Sequence, residues 1–102
     1  MPDRVTVATT DELAPGEGMA LSVGGEGVAL FNVDGEFHAV ANPCTHAGGS
    51  LGNGTLSGTT VTCPLHGAKF DVTSGEVVRP PAHEPVHRYE VVVEDGEVDV
   101  VR

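Results

Sequence analysis

The stretch from Cys44 to His66 constrains this chain most, because it contains both of the cysteines in the sequence. It reads Cys44-Thr45-His46, then sixteen residues, then Cys63-Pro64-Leu65-His66. Two thiolates and two imidazoles offered from two separate loops are the ligand set of a zinc site, or of an iron–sulfur centre in which histidines replace two cysteines on one iron. We therefore expect the rest of the chain to be a scaffold for two ligand loops.

The segment between the two Cys-His pairs is rich in glycine, and two prolines stand beside the cysteines. Glycine allows tight turns and close backbone approach, and it leaves amide donors uncovered where sulfur acceptors need them. Proline stiffens a loop because its ring fixes φ. Both loops are therefore expected to hold their shape. The residues concerned are Gly48, Gly49, Gly52, Gly54 and Gly58, with Pro43 and Pro64.

The remainder of the chain favours strands over helices. A chain of 102 residues forms one domain, 1–102, and because only 4% of its residues are aromatic, its core is expected to be small and aliphatic. Asp34-Gly35 and Asp95-Gly96 are typical two-residue hairpin turns, and Thr73-Ser74-Gly75 indicates a third hairpin. We predict an all-β protein, an antiparallel sandwich or barrel, with a small subdomain at about 43–70 inserted in it. The predicted strands are 4–9, 19–23, 28–33, 36–40, 69–72, 76–79, 87–94 and 97–101.

Charge is distributed unevenly along the sequence. The formal net charge is -10, yet Lys69 is the only charged residue between positions 42 and 70. An acidic body argues against nucleic acid as a partner, and it suits either a partner with a basic docking face or simple solubility. No stretch approaches the roughly 18 apolar residues that would span a bilayer, so we expect no membrane segment and a cytoplasmic protein.

Cys44-x-His46 and Cys63-x-x-His66-Gly67, with Leu51-x-x-Gly54 between them, closely resemble the Rieske iron-sulfur domain. The resemblance covers nearly the whole chain. It implies one 2Fe-2S cluster per chain, with Cys44 and Cys63 on the inner iron and His46 and His66 on the outer one. Zinc fits this spacing poorly, since structural zinc sites usually use Cys-x2-4-Cys and His-x3-5-His pairs. A Cys44–Cys63 disulfide would leave both histidines unexplained.

Four residues depart from the high-potential members of the Rieske family. Gly49 and Leu65 occupy the positions of two extra cysteines that form a disulfide there, and Ala68 and Phe70 replace a serine and a tyrosine whose hydroxyls donate to the cluster sulfurs. Donors to sulfur stabilise the reduced cluster. Losing two of them should lower the potential by on the order of 100 mV, toward or somewhat below about -100 mV.

The resemblance implies a one-electron carrier, a Rieske-type ferredoxin that passes electrons from a flavin-dependent reductase to a terminal oxygenase. Two alternatives stay open at this point: the small Rieske-like subunit of an assimilatory nitrite reductase, and a zinc-stabilised interaction module. We expect a monomer. The sequence contains no paired carboxylates and no nucleophile beside a free base, so we expect no catalytic site. His38, His83 and His87 are expected to be surface or hydrogen-bonded residues, since the ligand set is complete without them.

Overall fold

Ten strands in two antiparallel sheets make up the part of the chain that the computed structural model describes, which is residues 4–42, 50–64, 67–79 and 84–101. A short 3₁₀ turn at Leu51–Asn53 precedes the second sheet. The strands are β1 (Arg4–Thr9), β2 (Gly18–Val23), β3 (Glu26–Val33), β4 (Glu36–Ala41), β5 (Thr55–Ser57), β6 (Thr60–Thr62), β7 (Lys69–Asp71), β8 (Val77–Arg79), β9 (Arg88–Glu94) and β10 (Glu97–Val101).

The larger sheet has six strands in the order β1-β10-β9-β4-β3-β2. Its two edge strands, β1 and β2, approach each other, so the sheet nearly closes into a barrel. The central residues of β3 are all buried, and they alternate between two apolar clusters, with Val28 and Leu30 in one and Ala29 and Phe31 in the other, as the two-residue period of a strand requires. The prediction of an all-β barrel-like fold is confirmed.

The predicted hairpins are confirmed as well. Asp34 and Asp95 have positive φ angles of 51° and 50°, and the glycines that follow them are also in the left-handed region, as a two-residue turn between twisted strands requires. The hairpin predicted around Thr73-Ser74-Gly75 joins β7 to β8. β3 begins earlier than predicted, at Glu26, because the turn before it needs only Gly24 and Gly25, both with positive φ.

The smaller sheet has the order β5-β6-β7-β8 and extends from Thr55 to Arg79. β5 and β6 were not predicted from the sequence. Each has only three residues, which is too short for an alternating pattern to be recognised, and their turn contains Gly58 with a φ of +61°. The predicted subdomain of 43–70 stays a prediction; the sheet that follows the first ligand loop continues to Arg79.

Two apolar clusters form the core of the described structure. One lies inside the barrel and includes Val28, Leu30 and Val98. The other brings Phe31 and Val40 of the large sheet together with residues of the small sheet and its approach, which are Leu51, Val61, Cys63, Ala68, Phe70 and Val72. The cysteine of the second ligand loop is therefore part of the core between the two sheets.

An ion pair fastens the first strand to the last. The Arg4 guanidinium lies 2.6 Å from the Asp99 carboxylate and 3.0 Å from that of Glu94. The Thr6 hydroxyl donates to Asp99 over 2.6 Å. The Thr6 hydroxyl and then Arg4 hold the pKa of Asp99 below its usual range. Among the described residues, no helix has the length and apolar character needed to cross a membrane.

Candidate metal centre

Cys63 follows directly after β6, and its side chain is free and buried, with 1% of the residue exposed. Its amide donates to the carbonyl oxygen of Ala68 over 2.8 Å, and its carbonyl oxygen accepts from the amide of Gly67 over 3.2 Å. Gly67 has a φ of +76°, which favours glycine at this position. The turn between β6 and β7 therefore begins at the cysteine itself, and these bonds fix where the sulfur emerges from the sheet.

The other three predicted ligands, Cys44, His46 and His66, lie outside the described residues, as do Gly49 and Leu65. Within 4–42, 50–64, 67–79 and 84–101, no three side chains of His, Cys, Asp or Glu are grouped as a metal site requires. The described residues do include the positions from which the ligand segments start and to which they return. The first segment is flanked by Asn42 and Ser50, and the second by Pro64 and Gly67.

Asn42 joins both ends of the first ligand segment. Its carbonyl oxygen accepts from the Leu51 amide over 2.9 Å, and its Oδ1 accepts from the Gly52 amide over 2.8 Å. Its Nδ2 lies 3.1 Å from the Ser50 hydroxyl oxygen. The sequence analysis missed this residue. The available signal was an asparagine just before Pro43 and Cys44, since asparagine side chains often hydrogen-bond the backbone of turns.

Two glycines allow the backbone to approach closely near Cys63. A Cβ on Gly54 would overlap the carbonyl oxygen of Thr62, the residue before the cysteine. A Cβ on Gly52 would lie 2.6 Å from the backbone nitrogen of Ala20 in β2. Only glycine fits at either place without a backbone shift. The close backbone approach expected of this segment is therefore found at Gly52 and Gly54, which contact the large and the small sheet respectively.

The surroundings of Cys63 fit a metal-bound thiolate. Leu51, Ala68 and Phe70 belong to the same apolar cluster and are fully buried. The nearby cation, the Lys69 ammonium, donates to the Thr62 hydroxyl over 2.7 Å. Thiolate is a soft ligand that suits iron–sulfur clusters, and an apolar shell keeps water from the metal–sulfur bond. A buried, free thiol at the end of a short hairpin, followed by His66 three residues later in the sequence, fits the cluster that the motif predicts.

The remaining histidines differ from one another. The His87 ring makes an edge-on contact with the Tyr89 ring at 4.7 Å between centroids, and His87 is exposed, as expected. His38 is 15% exposed, and its Nε2 is buried without a hydrogen-bond partner among the described residues; Glu36 lies 3.6 Å away. The expectation of a surface or hydrogen-bonded His38 therefore fails for that nitrogen. His83 lies outside the described residues.

His38 lines a cavity of about 390 Å³ where β4 and β9 diverge. These strands pair only at Ala39–Tyr89 and Val40–Arg88 in the described structure, so the sheet opens beyond them. The other lining residues are Gly35, Glu36, Phe37, Arg88, Tyr89, Val91 and Val93. Among the described residues, neither Cys63 nor its neighbours in the apolar cluster line this cavity.

Comparison with known proteins identifies relatives over nearly the full length. The model of the family described as Rieske [2Fe-2S] domain matches residues 3–90. The biphenyl dioxygenase ferredoxin subunit of Pseudomonas sp. (strain KKS102) is 44% identical over 91 residues, which is 88% of this chain and 84% of that protein. The ferredoxin of carbazole 1,9a-dioxygenase from Nocardioides aromaticivorans IC177 is 36% identical and superposes with a TM-score of 0.92 over 95% of both chains.

Two further solved structures bear on partners. A complex of reduced oxygenase and oxidised ferredoxin in carbazole 1,9a-dioxygenase contains a chain that is 35% identical, with a TM-score of 0.90 over 95% of this chain and 91% of that one. A Mycobacterium tuberculosis protein, described provisionally as the small subunit of an NADH-dependent nitrite reductase, is 28% identical, with a TM-score of 0.89 over 100% of this chain and 96% of that one.

Proposed function

This chain belongs to the Rieske [2Fe-2S] domain family, and we propose that it carries single electrons from a flavin-dependent reductase to the terminal oxygenase of a dioxygenase system. Its cofactor is a Rieske-type 2Fe-2S cluster, and it is a ferredoxin component, an electron carrier rather than an enzyme. The observation that carries the proposal is the likeness to dioxygenase ferredoxins over 88% of the chain, together with the buried free thiol of Cys63 at the end of β6.

The proposed cluster ligands are Cys44 and Cys63 on the inner iron and His46 and His66 on the outer one. When bound, the cluster supplies one-electron redox chemistry. Cys63 binds from inside the apolar core, where Leu51 and Phe70 exclude water. The amides of Cys63 and Gly67 are both used in hydrogen bonds within the hairpin, which join the two ends of the second ligand segment.

The charge distribution supports transfer through the motif region. The region from 42 to 70 has Lys69 as its only charged residue, whereas all fifteen acidic residues lie elsewhere. A nearly neutral contact surface costs little to desolvate when a partner docks, while the acidic body attracts a partner with a basic docking face over a Debye length of about 8 Å. We also propose a monomer in the cytoplasm, where both ligand thiols stay reduced.

Visible and electron paramagnetic resonance spectra of the purified protein test the cofactor assignment. We expect a red-brown protein with about two irons per chain, which bleaches on reduction and shows the spectrum of a histidine-ligated cluster. His66→Ala and Cys63→Ser should abolish that spectrum. His87→Ala is the matched control, since this exposed histidine contacts Tyr89 and lies outside the ligand loops. A colourless protein containing one zinc would contradict the assignment.

Reconstitution tests the place in the electron chain. The protein should accept electrons from a flavin-dependent ferredoxin reductase and support product formation by a ring-hydroxylating oxygenase, in proportion to its concentration. The nitrite reductase alternative has weaker support, because the relative of that kind is 28% identical, against 44% for the biphenyl dioxygenase ferredoxin. Stable co-purification with a nitrite reductase large subunit, and no turnover with any oxygenase, would favour that alternative.

A further inference from the structure

We propose that Asn42 is the positioning residue of the metal centre, because it fixes the first ligand segment to the core that surrounds the second. This inference rests on the proposed function, since Cys44 and His46 are ligands only if the chain holds a Rieske cluster. Asn42 lies two positions before Cys44 in the sequence and is not itself one of the proposed ligands. Its role is to hold the ends of segment 43–49 together.

Asn42 forms hydrogen bonds through both its main chain and its side chain. Its own amide donates to the Gly27 carbonyl oxygen over 3.0 Å, which extends the contact of β4 with β3. Its carbonyl oxygen and its Oδ1 receive the amides of Leu51 and Gly52 at 2.9 and 2.8 Å. The Ser50 hydroxyl oxygen lies 3.1 Å from Nδ2 and 3.2 Å from Oδ1. Asn42 thus connects the end of a barrel strand to three consecutive residues after the ligand segment, to Ser50 and Gly52 through its side chain and to Leu51 through its main-chain carbonyl oxygen.

One of the residues that Asn42 binds is packed in the same core as Cys63. Leu51, whose amide Asn42 binds, is fully buried in the same apolar cluster as Cys63, Ala68 and Phe70. Gly52 packs so closely on β2 that a Cβ there would lie 2.6 Å from the nitrogen of Ala20. Residues 51 and 52 are therefore fixed by both sheets, and Asn42 is fixed to them. The position of the first ligand segment relative to Cys63 depends on this connection.

The bonds of Asn42 should prolong the time for which the metal centre stays intact. The residues that flank segment 43–49, Asn42 and Ser50, are hydrogen-bonded to each other. Part of the entropy cost of closing this loop is therefore met before any metal binds. Without the side-chain bonds, that cost falls on the metal–ligand bonds of Cys44 and His46, and the amide of Gly52 loses its partner. An intramolecular hydrogen bond of this kind typically changes an equilibrium constant by a factor of about ten.

The experiment compares four variants of the loaded protein for the rate of iron release to a chelator. Asn42→Ala removes all the side-chain bonds. Ser50→Ala removes the bonds between Asn42 and the hydroxyl, together with a bond of 3.0 Å from Asn53 Nδ2 to the same oxygen, and leaves Gly52 bound to Oδ1. Asn42→Asp keeps an oxygen that accepts from the Gly52 amide and from the Ser50 hydroxyl. Ser57→Ala is the matched control, because Ser57 is an exposed residue of β5 in the same small sheet.

We expect Asn42→Ala to release iron roughly tenfold faster than wild type, and Ser50→Ala about threefold faster, with Asn42→Asp and Ser57→Ala close to wild type. The fraction of Asn42→Ala that remains loaded should show a broadened or shifted paramagnetic resonance spectrum and a changed midpoint potential, which a loss of overall stability alone would not produce. The midpoint temperature for thermal unfolding of the large sheet should change little.

Equal release rates for Asn42→Ala, Ser50→Ala and Ser57→Ala would overturn the inference. So would an Asn42→Asp variant as defective as Asn42→Ala, because the retained oxygen should rescue. If Asn42→Ala does not fold, the pair Ser50→Ala and Ser57→Ala decides alone. A wild-type protein without the histidine-ligated spectrum would instead contradict the proposed function, so the two failures are distinguishable.

Discussion

The two sheets of this protein are stabilised in different ways. The large sheet has strands of five to eight residues with long backbone ladders, and most of its register follows from alternation and from Asp-Gly turns. The small sheet has four strands of three residues each, and this sheet and the segment that leads into it depend on single contacts such as those of Asn42, Gly54 and Gly75. A sheet whose strands are held by long backbone ladders should tolerate substitution of a single residue. A site that depends on contacts of individual residues should not.

The largest difference between the sheets should appear at two glycines with the same backbone conformation. Gly75, in the turn between β7 and β8, has a φ of +82°, and Gly25, between β2 and β3, has a φ of +86°. A Cβ on Gly75 would overlap the carbonyl oxygen of Val86, whereas a Cβ on Gly25 meets nothing within 4 Å. We expect Gly25→Ala to lower the free energy of unfolding by about 1 kcal/mol and Gly75→Ala by roughly 3 kcal/mol or more.

Chemical denaturation of both variants checks this prediction, with iron content as a second measurement. Gly75 also accepts the Val86 amide through its carbonyl oxygen at 2.8 Å, so its displacement should disturb the core around Cys63 and lower iron content in Gly75→Ala alone. Equal losses of stability in the two variants would show that the positive φ, and not the contact of the small sheet with Val86, determines the cost.

A smaller effect is expected from restoring hydroxyl donors beside Cys63. Ala68 and Phe70 are fully buried in the cluster that contains this cysteine, and neither side chain can donate a hydrogen bond. Ala68→Ser and Phe70→Tyr together should raise the midpoint potential by on the order of 100 mV, because donors to sulfur stabilise the reduced cluster. Voltammetry measures the shift; Leu56→Met, in the same sheet, is the control.

The same pair of variants has a second outcome to measure. A buried hydroxyl without a partner costs roughly 1–3 kcal/mol of stability. If the new hydroxyls reach sulfur acceptors, stability of the loaded protein should change little while the potential rises. An unchanged potential together with a loss of stability would mean that these positions do not face the sulfurs.

How far the sequence predicts this protein differs between its two sheets. The strands of the large sheet and the turns at Asp34-Gly35 and Asp95-Gly96 are visible locally, because alternation and turn chemistry act over a few residues. The motif of Cys44, His46, Cys63 and His66 is also visible, since ligand chemistry restricts spacing; the assignment of each ligand stays a prediction.

The contacts around the first ligand segment and within the small sheet could not be predicted in this way. Asn42 acts through Ser50 and Gly52, which are eight and ten residues away, and no periodic pattern links positions at such distances. β5 and β6 are too short to show alternation, and Gly54 matters because Thr62 happens to pack against it. Long-range packing, not local propensity, decides such features.

The smallest expected effect is at the edge of the large sheet, where β1 and β10 are joined by side-chain bonds as well as by their backbone ladder. Hydrogen bonds from Thr6 and Arg4 lower the pKa of Asp99, so its folded pKa lies below the unfolded value of about 3.9. The stabilisation that it provides is therefore present above about pH 4 and is lost as the pH falls through the folded pKa. Asp99→Asn should be less stable than wild type at pH 7, and urea unfolding followed by circular dichroism should show the difference shrinking below about pH 4. A difference that stays constant down to pH 3 would mean that the carboxylate charge is not what fastens β1 to β10, and that this edge, like the rest of the large sheet, relies on its backbone ladder.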